Sequence, residues 1–172
     1  MDKARKQMEI VDDGYSLIIL ASMFWEEKID IIKKKFKDED FKVPFTNWSE
    51  ILSQIEKKFI EKKSSQDHYK NWIRNIRAKN QIGNIDNLHL REYLKMLDIT
   101  KNYWFVIISG NEDNGRQLLY DCKSFVMIEL IKMANTSFFI AHKKYEWLVF
   151  FERIDGKKTL IFKSGNNNTP FD

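Results

Sequence analysis

The spacing of apolar residues changes near residue 100, and this change constrains the fold more than any other feature of the chain. Before it, apolar side chains recur every three or four residues, as over 51–59, which is the period of a helix with one buried face. After it, the segment YWFVIIS at 103–109 is aromatic and β-branched, which is typical of a buried strand. We therefore expect an α+β fold, in which a mainly helical part at 1–98 packs with an antiparallel sheet unit at 99–165.

The helical period of the first part predicts four helices. The first carries an apolar stripe over residues 17–36. The second begins at Asn47 or Ser49, since either side chain can accept a hydrogen bond from the free amides at a helix start. A third helix is expected over 65–80, and a fourth over 86–97 that opens on a capping aspartate.

The second part predicts a β-β-α-β-β order of elements. Its strands and helix are expected at residues 103–109, 116–121, 123–134, 137–154 and 159–162. The turn cluster GNEDNG separates the first two strands and indicates a hairpin. The fourth segment is either one long strand or two strands that turn near 142–145. The polar tail at 166–172 is expected to be frayed.

The composition indicates one domain without a disulfide framework. A length of 172 residues suits a single domain, and the aromatic content of 14% supplies ample apolar surface for its core. Cys122 is the single cysteine, so no intrachain disulfide can form. The apolar runs nearest the start, 17–21 and 23–25, are too short to cross a bilayer or to form a signal peptide. We therefore expect a cytoplasmic protein with no membrane contact.

An Asp-x-Lys triplet, Asp121 and Lys123, lies where the second strand gives way to a helix, and it is the strongest indication of an enzyme. One large superfamily of Mg²⁺-dependent nucleases places an upstream carboxylate, then Asp/Glu-x-Lys on an adjacent strand, then a helix and another strand. Glu112 and Asp113 would supply the upstream carboxylates here. Carboxylates of this kind hold Mg²⁺, and the lysine helps to position or activate water.

An ordinary strand-to-helix corner explains the same residues. Asp121 or Ser124 can cap the helix while Lys123 is solvated. The acidic pair at 112–113 would also lie at the opposite end of a regular hairpin strand from Asp121, too far away to share one ion. We therefore favour the structural interpretation and lean against an enzyme.

Cys122 and the three histidines give no recognisable catalytic or metal-binding pattern. A nucleophilic thiol needs a lowered pKa, whereas a free cysteine more often packs as a small apolar residue. His68, His89 and His142 lack the spacing of metal ligands. We therefore predict no metal site and no cofactor.

Basic residues are concentrated between Lys57 and Lys79, where eight basic residues accompany two acidic ones. On the predicted third helix, Lys70, Arg74 and Arg77 share one face, which could contact the phosphates of a nucleic acid. The alternative is that this face is simply the solvated side of a helix whose other side packs inward.

The segment FFIAHKKYEWLVFF contains an aromatic-aromatic-Ile strand, a basic turn and a Tyr-x-Trp-Leu strand start. The residues concerned are Phe138, Phe139, Ile140, Lys143, Lys144, Tyr145, Trp147 and Leu148. Over the last 70 residues, 103–172, this pattern resembles small bacterial α+β proteins of unknown function related to toxin-immunity domains. The resemblance implies a tight hairpin over 137–152 and carries packing motifs instead of catalytic ones.

We expect from these observations a non-enzymatic bacterial protein that acts by protein–protein recognition, as an immunity or regulatory protein. Trp104, Tyr145 and Trp147 are the candidate anchors for a protein partner if they are exposed, because aromatic residues are enriched in binding hot spots. The alternatives are a nucleic-acid-binding protein that uses the Lys57–Lys79 stretch and, less favoured, the Mg²⁺-dependent nuclease described above.

Overall fold

The computed structural model describes residues 25–44, 46–61, 72, 74–108, 119–134, 136–155, 157–165 and 170–171. The α-helices of these residues are α1 (Trp25–Lys35), α2 (Trp48–Phe59), α3 (Leu90–Leu94) and α4 (Ser124–Ala134). A 3-10 turn at Asn87–His89 leads into α3. The strands are β1 (Phe41–Lys42), β2 (Asn80–Asp86), β3 (Tyr103–Ile107), β4 (Leu119–Cys122), β5 (Phe138–Ala141), β6 (Trp147–Arg153) and β7 (Lys158–Gly165).

These strands form one sheet in the order β1-β4-β3-β5-β6-β7-β2, with every pair of neighbours antiparallel. The predicted α+β class with an antiparallel sheet is thus confirmed. The sheet is larger than expected, because three strands follow α4 and two more come from the first part of the chain. Those two, β1 and β2, occupy the two edges, so residues before and after 98 share a single sheet.

The centre of the sheet is a ladder of aromatic rings on β3, β5 and β6. The ring centroids of Phe105 and Phe138 lie 5.3 Å apart, and those of Phe138 and Phe151 lie 4.6 Å apart. All three side chains are essentially inaccessible to water. Aromatic pairs at such distances stabilise a core by more than the apolar area they bury. The aromatic composition that predicts these strands therefore agrees with their place in the core.

Helices α1, α3 and α4 cover the face of the sheet that carries Phe151. Tyr93 of α3 meets Phe151 edge-on at 6.2 Å. Trp25 of α1 donates a hydrogen bond of 2.5 Å from Nε1 to the Tyr120 hydroxyl. Helices α1 and α4 pack on each other, with Lys35 Nζ 2.7 Å from Glu129 Oε2.

On the opposite face of the sheet lie the buried side chains of Trp72 and of the segment that contains Ile76. Trp72 stacks on Phe139 with a centroid distance of 5.3 Å. Ile76 pairs with Ile60 in an isolated antiparallel bridge, which ties this segment to the end of α2. The sheet is therefore the middle layer of three.

The predicted helix over 65–80 is wrong at its C-terminal end. Ile76 lies in a β-bridge, Ala78 has a positive φ of 43°, and the chain continues directly into β2. Residues 80–86 pair along β7 instead of extending a helix. The reason is tertiary, since backbone pairing with a distant strand overrides the local period.

Of the other predicted helices, the second is found as α2, and the fourth is shorter than expected because it consists of the 3-10 turn and α3. The described part of the first predicted helix is α1, and residues 17–24 lie outside the described residues. Asn47 occupies the cap position of α2 but makes no capping hydrogen bond through its side chain. Asp86 does act as a cap, because its carboxylate accepts a hydrogen bond of 2.8 Å from the Leu88 amide.

Two further expectations for the C-terminal part are settled. Residues 137–154 form a hairpin of β5 and β6, as the resemblance implied, and not one long strand. The tail is not frayed at Phe171, which is buried and stacks on Tyr93 at a centroid distance of 5.0 Å. An aromatic side chain anchors the backbone here despite the polar residues before it.

Candidate functional site

Asp121 is engaged in a polar cluster at one end of the sheet. Its Oδ2 lies 2.9 Å from Lys143 Nζ, and its Oδ1 accepts a hydrogen bond of 3.0 Å from Asn102 Nδ2. The register places Asp121 directly opposite Trp104 on β3 and opposite Lys42 on β1. Strand pairing thus brings these groups together although they lie far apart in sequence.

Lys143 is held between Asp121 and an aromatic ring. Its ammonium group lies over Trp104, 2.9 Å from the ring centroid. Burial lowers the pKa of Lys143 and the neighbouring Asp121 carboxylate opposes that shift. The turn that presents Lys143 also holds Tyr145 at a positive φ of 55°, a backbone conformation that side-chain-bearing residues seldom adopt.

Lys123 points to a different partner. Its Nζ lies 2.7 Å from Asp40 Oδ1, and its backbone amide donates a hydrogen bond of 3.0 Å to the Asp40 carbonyl. The hydrogen bond to Asp40 raises the pKa of Lys123. The expectation that Lys123 is solvated is therefore wrong. Through these two contacts Lys123 connects the start of α4 to Asp40, in the segment before β1.

Among the described residues, no group of side chains provides the metal site that the nuclease hypothesis requires. Asp121 and Lys123 each neutralise another charged residue, and Asp121 binds Asn102 and Lys143 instead of capping α4. No group of three or more His, Cys, Asp or Glu side chains that could hold an ion occurs among the described residues. Glu112 and Asp113 lie outside the described residues, so the Asp-x-Lys hypothesis is untested at its upstream carboxylates.

Cys122 is a core residue. Its side chain is fully buried, and burial raises the pKa of its thiol well above the usual range. A thiol in this state is neither accessible nor ionised, so the packing interpretation of Cys122 is confirmed.

The two described histidines, His89 and His142, lie in separate environments. His142 Nδ1 is 3.0 Å from Glu146 Oε2, and its ring stacks on Trp147. His89 is exposed at the end of the 3-10 turn, and His68 lies outside the described residues.

The three candidate aromatic anchors differ in exposure. Trp147 is only 4% exposed and packs against Tyr103 and Phe171, so it fails the condition of being exposed. Trp104 and Tyr145 are half-buried. The Lys143 ammonium group covers the ring of Trp104, so this ring contacts the polar cluster within the fold.

The basic stretch does not form the continuous helical face that its spacing predicted. Arg74 is exposed, but Arg77 lies beyond the Ile60–Ile76 bridge and donates a hydrogen bond of 2.9 Å from Nε to the Ile60 carbonyl. Lys79 lies over the Phe162 ring at 4.8 Å. Lys70 is outside the described residues.

A groove between α3 and α4 is a feature that the sequence interpretation missed. We call it the α3–α4 groove; it has a volume of 330 Å³ and is lined by Asn87, Leu88, Leu90, Arg91, Leu94, Ile128, Ile131, Lys132 and Arg153. Its apolar lining comes from the facing sides of the two helices. Three cations border it, and none of its lining residues is acidic.

Arg153 is the half-buried cation of this groove. Burial lowers the pKa of its guanidinium group, as expected when a charge is partly removed from water. Among the described residues, neither Arg91 nor Arg153 forms a salt bridge with a carboxylate. Lys132, in contrast, lies 2.9 Å from Glu129 Oε1.

Two aliphatic side chains are exposed in this region: Leu88, which lines the groove, and Ile154, which follows the lining residue Arg153 in the chain. Leu88 is 84% exposed and Ile154 is 58% exposed. Asn87 holds their backbones together, because its amide donates to the Lys157 carbonyl at 2.7 Å and its Nδ2 donates to the Asp155 carbonyl at 3.2 Å. We call Leu88 and Ile154 together the apolar patch.

One sequence signal could have pointed to the groove. Residues 147–151 of β6 are apolar on both faces of the strand, and a period of two places Arg153 on the same face as Trp147, Val149 and Phe151, the face that the helices cover. A charged residue at an inward position is unusual and indicates either a partner or a ligand. The helices that close the groove are set by tertiary packing and could not be inferred in the same way.

Comparisons with known proteins identify a family without assigning an activity. None of the helices in the described part of the chain is long and apolar enough to cross a membrane. Neither a curated protein nor a solved structure matches the sequence. The family match, which covers residues 18–165, shows no link to toxin-immunity domains. Because that match spans most of the chain, the protein belongs to the family of unknown function DUF6756.

Proposed function

We propose that this protein acts by protein–protein recognition, and that the apolar patch of Leu88 and Ile154 is part of its binding surface. The observation that carries the proposal is the exposure of these two side chains at 84% and 58% on backbone segments joined by Asn87. Leucine and isoleucine exposed this far leave apolar area in water that a partner can cover.

The support of the patch by hydrogen bonds strengthens this interpretation. Asp86 fixes the Leu88 amide, and Asp155 accepts hydrogen bonds from the amides of Lys157 and Lys158 at 2.6 and 2.8 Å. Side-chain carboxylates therefore support the backbone close to both exposed side chains. A partner that binds a preorganised surface loses less conformational entropy than one that binds a mobile loop.

The narrower form of the proposal is that the partner is a toxin and that the protein is a bacterial, cytoplasmic immunity protein. It derives from the resemblance of the C-terminal strands and not from the apolar patch. Co-expression with the product of a neighbouring toxin gene tests it directly. Neutralisation of that toxin would support the narrower form, and a regulatory partner would replace it.

Nucleic-acid binding through the Lys57–Lys79 stretch is the second candidate. Lys57, Lys58 and Arg74 are exposed cations, which favours it. The use of Arg77 and Lys79 in contacts within the fold counts against it. Fluorescence-anisotropy titrations with DNA and RNA at two salt concentrations decide the matter, because phosphate contacts weaken steeply with salt. Absence of binding at low salt would remove this candidate.

The principal experiment measures the affinity of the purified partner after its capture from the native host. Leu88→Asp and Ile154→Asp are each expected to weaken binding by about tenfold or more, because a carboxylate must be desolvated in an apolar contact. Leu88→Asp should leave the free energy of unfolding within about 0.5 kcal/mol of the wild-type value, since Leu88 is exposed.

Ile99→Asp is the matched control. Ile99 is 62% exposed. Ile99 lies shortly before β3 in the chain. The first residue of β3, Tyr103, contacts Trp147 at the start of β6, whereas Ile154 follows the end of β6. The control should bind the partner within about twofold of wild type. Loss of binding in Ile99→Asp with full binding in Leu88→Asp would overturn the proposed surface.

A further inference from the structure

The α3–α4 groove has the size and lining of a binding site for a short segment. Ligand pockets in proteins range over roughly 300–1,000 Å³ and are mainly apolar with a few placed polar groups. The groove, at 330 Å³, lies at the lower end of that range. Leu90 and Leu94 line one side and Ile128 and Ile131 the other, so the apolar part suits one or two aliphatic or aromatic side chains.

The charges of the groove select an acidic occupant. Arg153, half-buried at the groove, and Arg91, at its exposed side, have no carboxylate partner among the described residues. Lys132 shares Glu129 with Lys35, so a single carboxylate faces two ammonium groups there. A half-buried guanidinium is stabilised by a carboxylate that can bond to it in a bidentate way.

The groove is continuous with the apolar patch, because Leu88 belongs to both. A segment of the partner that covers Leu88 would therefore enter the groove with its next residues. This continuity favours a partner peptide over a free small molecule.

We propose that the α3–α4 groove binds a partner segment that combines an acidic residue with neighbouring large apolar residues, with its carboxylate on Arg153 and its apolar side chains between α3 and α4. This inference rests on the proposed function and adds the chemical class of the segment. It assigns Arg153 to specificity, since the apolar lining alone does not distinguish an acid from its amide.

The test uses two synthetic peptides with the full-length protein: acetyl-Leu-Leu-Glu-amide and acetyl-Leu-Leu-Gln-amide. Binding is followed by ¹³C-methyl NMR, with assigned signals of Leu90, Leu94, Ile128 and Ile131. The Glu peptide is expected to shift these signals and to bind about fivefold or more tightly than the Gln peptide at low salt. Equal binding of the two peptides, no binding, or shifts confined to residues outside the groove would overturn the proposal.

Variants assign the preference to the arginine. Arg153→Met should reduce the preference for the Glu peptide to about twofold or less, and Arg153→Lys should retain part of it. Arg74→Met, which removes an exposed arginine elsewhere, is the matched control and should keep the full preference. If Arg153→Met does not fold, Arg91→Met provides the same test with an exposed residue and should lower the preference measurably. An unchanged preference in every groove variant would reject the role of these cations.

The failure of this inference and the failure of the proposed function give different results. If Arg153→Met binds the purified partner as tightly as wild type while Leu88→Asp does not, the groove is not the site and the apolar patch still is. If Leu88→Asp and Ile154→Asp both bind at full strength, the recognition surface itself is wrong.

Discussion

Lys143 forms an ion pair with Asp121, its Nζ lying 2.9 Å from Asp121 Oδ2, and the two residues join the β5–β6 turn to β4. The same ammonium group lies over Trp104 of β3. Three segments that are distant in sequence thus meet at one charge. Both side chains of the pair are only partly exposed, so the loss of one leaves the other incompletely hydrated.

Lys143→Met should therefore destabilise the fold by about 1–2 kcal/mol, between the values typical of exposed and buried pairs. Methionine keeps the apolar stem of the lysine, so the effect reports on the charge. Urea unfolding gives the free energy of unfolding. Lys144→Met, in the exposed neighbour, should change it by less than about 0.5 kcal/mol. Equal losses in the two variants would show that the ion pair is unimportant.

Mg²⁺ should leave the thermal stability of the protein unchanged. Asp121 would have to release Lys143 before it could bind a cation, and Lys143 would repel that ion. The measurement is Tm with and without Mg²⁺, together with a cleavage assay on DNA and RNA. Mg²⁺-dependent cleavage that Asp121→Ala abolishes and Asp38→Ala retains would contradict this prediction and establish the nuclease hypothesis.

The ionisation of Asp98 should make the free energy of unfolding depend on pH in the acid range. Its carboxylate accepts hydrogen bonds of 2.7 and 2.9 Å from the hydroxyl and amide of Thr100, which lower the pKa of Asp98 to about 2 from 3.8. A carboxyl group whose pKa is lower in the folded state than in the unfolded state stabilises the fold when the pH is above its unfolded-state pKa. For Asp98 this stabilisation is lost as the pH falls from about 4 through about 2.

Asp98→Asn should consequently show a smaller loss of stability between these pH values than the wild type, as measured by urea unfolding at several pH values. Asp30→Asn, in an exposed aspartate of α1, is the control and should follow the wild-type curve. Superimposable curves for Asp98→Asn and wild type would refute the assignment.

Gly165 is required at the end of β7. It has φ +107°, and an added Cβ would lie 2.5 Å from the Glu146 carbonyl oxygen and 2.8 Å from Trp147 Cα. Gly165→Ala should therefore lower the free energy of unfolding by roughly 2 kcal/mol or more. Gly83→Ala should cost less than about 1 kcal/mol, because the atom nearest to its Cβ would be Ile161 Cδ1 at 3.3 Å, the end of a flexible side chain. Similar losses of unfolding free energy in Gly165→Ala and Gly83→Ala would contradict the β6–β7 register.

The central strands and α4 could be predicted because their local composition agrees with their tertiary role. Residues such as Phe105 and Phe139 are β-formers on buried strands, so pattern and environment coincide. The edge strand β2 could not be predicted. Its sequence NQIGNID is polar, and its structure comes from pairing with β7, which lies some 75 residues later in the chain (Ile85 with Thr159, for example).

The candidate sites follow the same division. The pairing of Asp121 with Lys143 depends on the register of β3, β4 and β5, which single-sequence patterns do not give. The sequence places Trp147 on an aromatic strand, but its burial under Phe171 depends on a contact with the C-terminal tail that local patterns do not give. The α3–α4 groove needs two helices and a strand to meet, so the sequence alone predicts only that Arg153 shares a face of β6 with Trp147, Val149 and Phe151.

The most direct test of protein recognition through the apolar patch is site-specific photo-crosslinking in the native host. A photoreactive amino acid replaces Leu88 in one variant and Ile99 in the other, both of them exposed positions. Recognition through the apolar patch predicts a covalent adduct with one partner protein from position 88, and none with that protein from position 99. An adduct with that protein from position 99 and none from position 88 would contradict it.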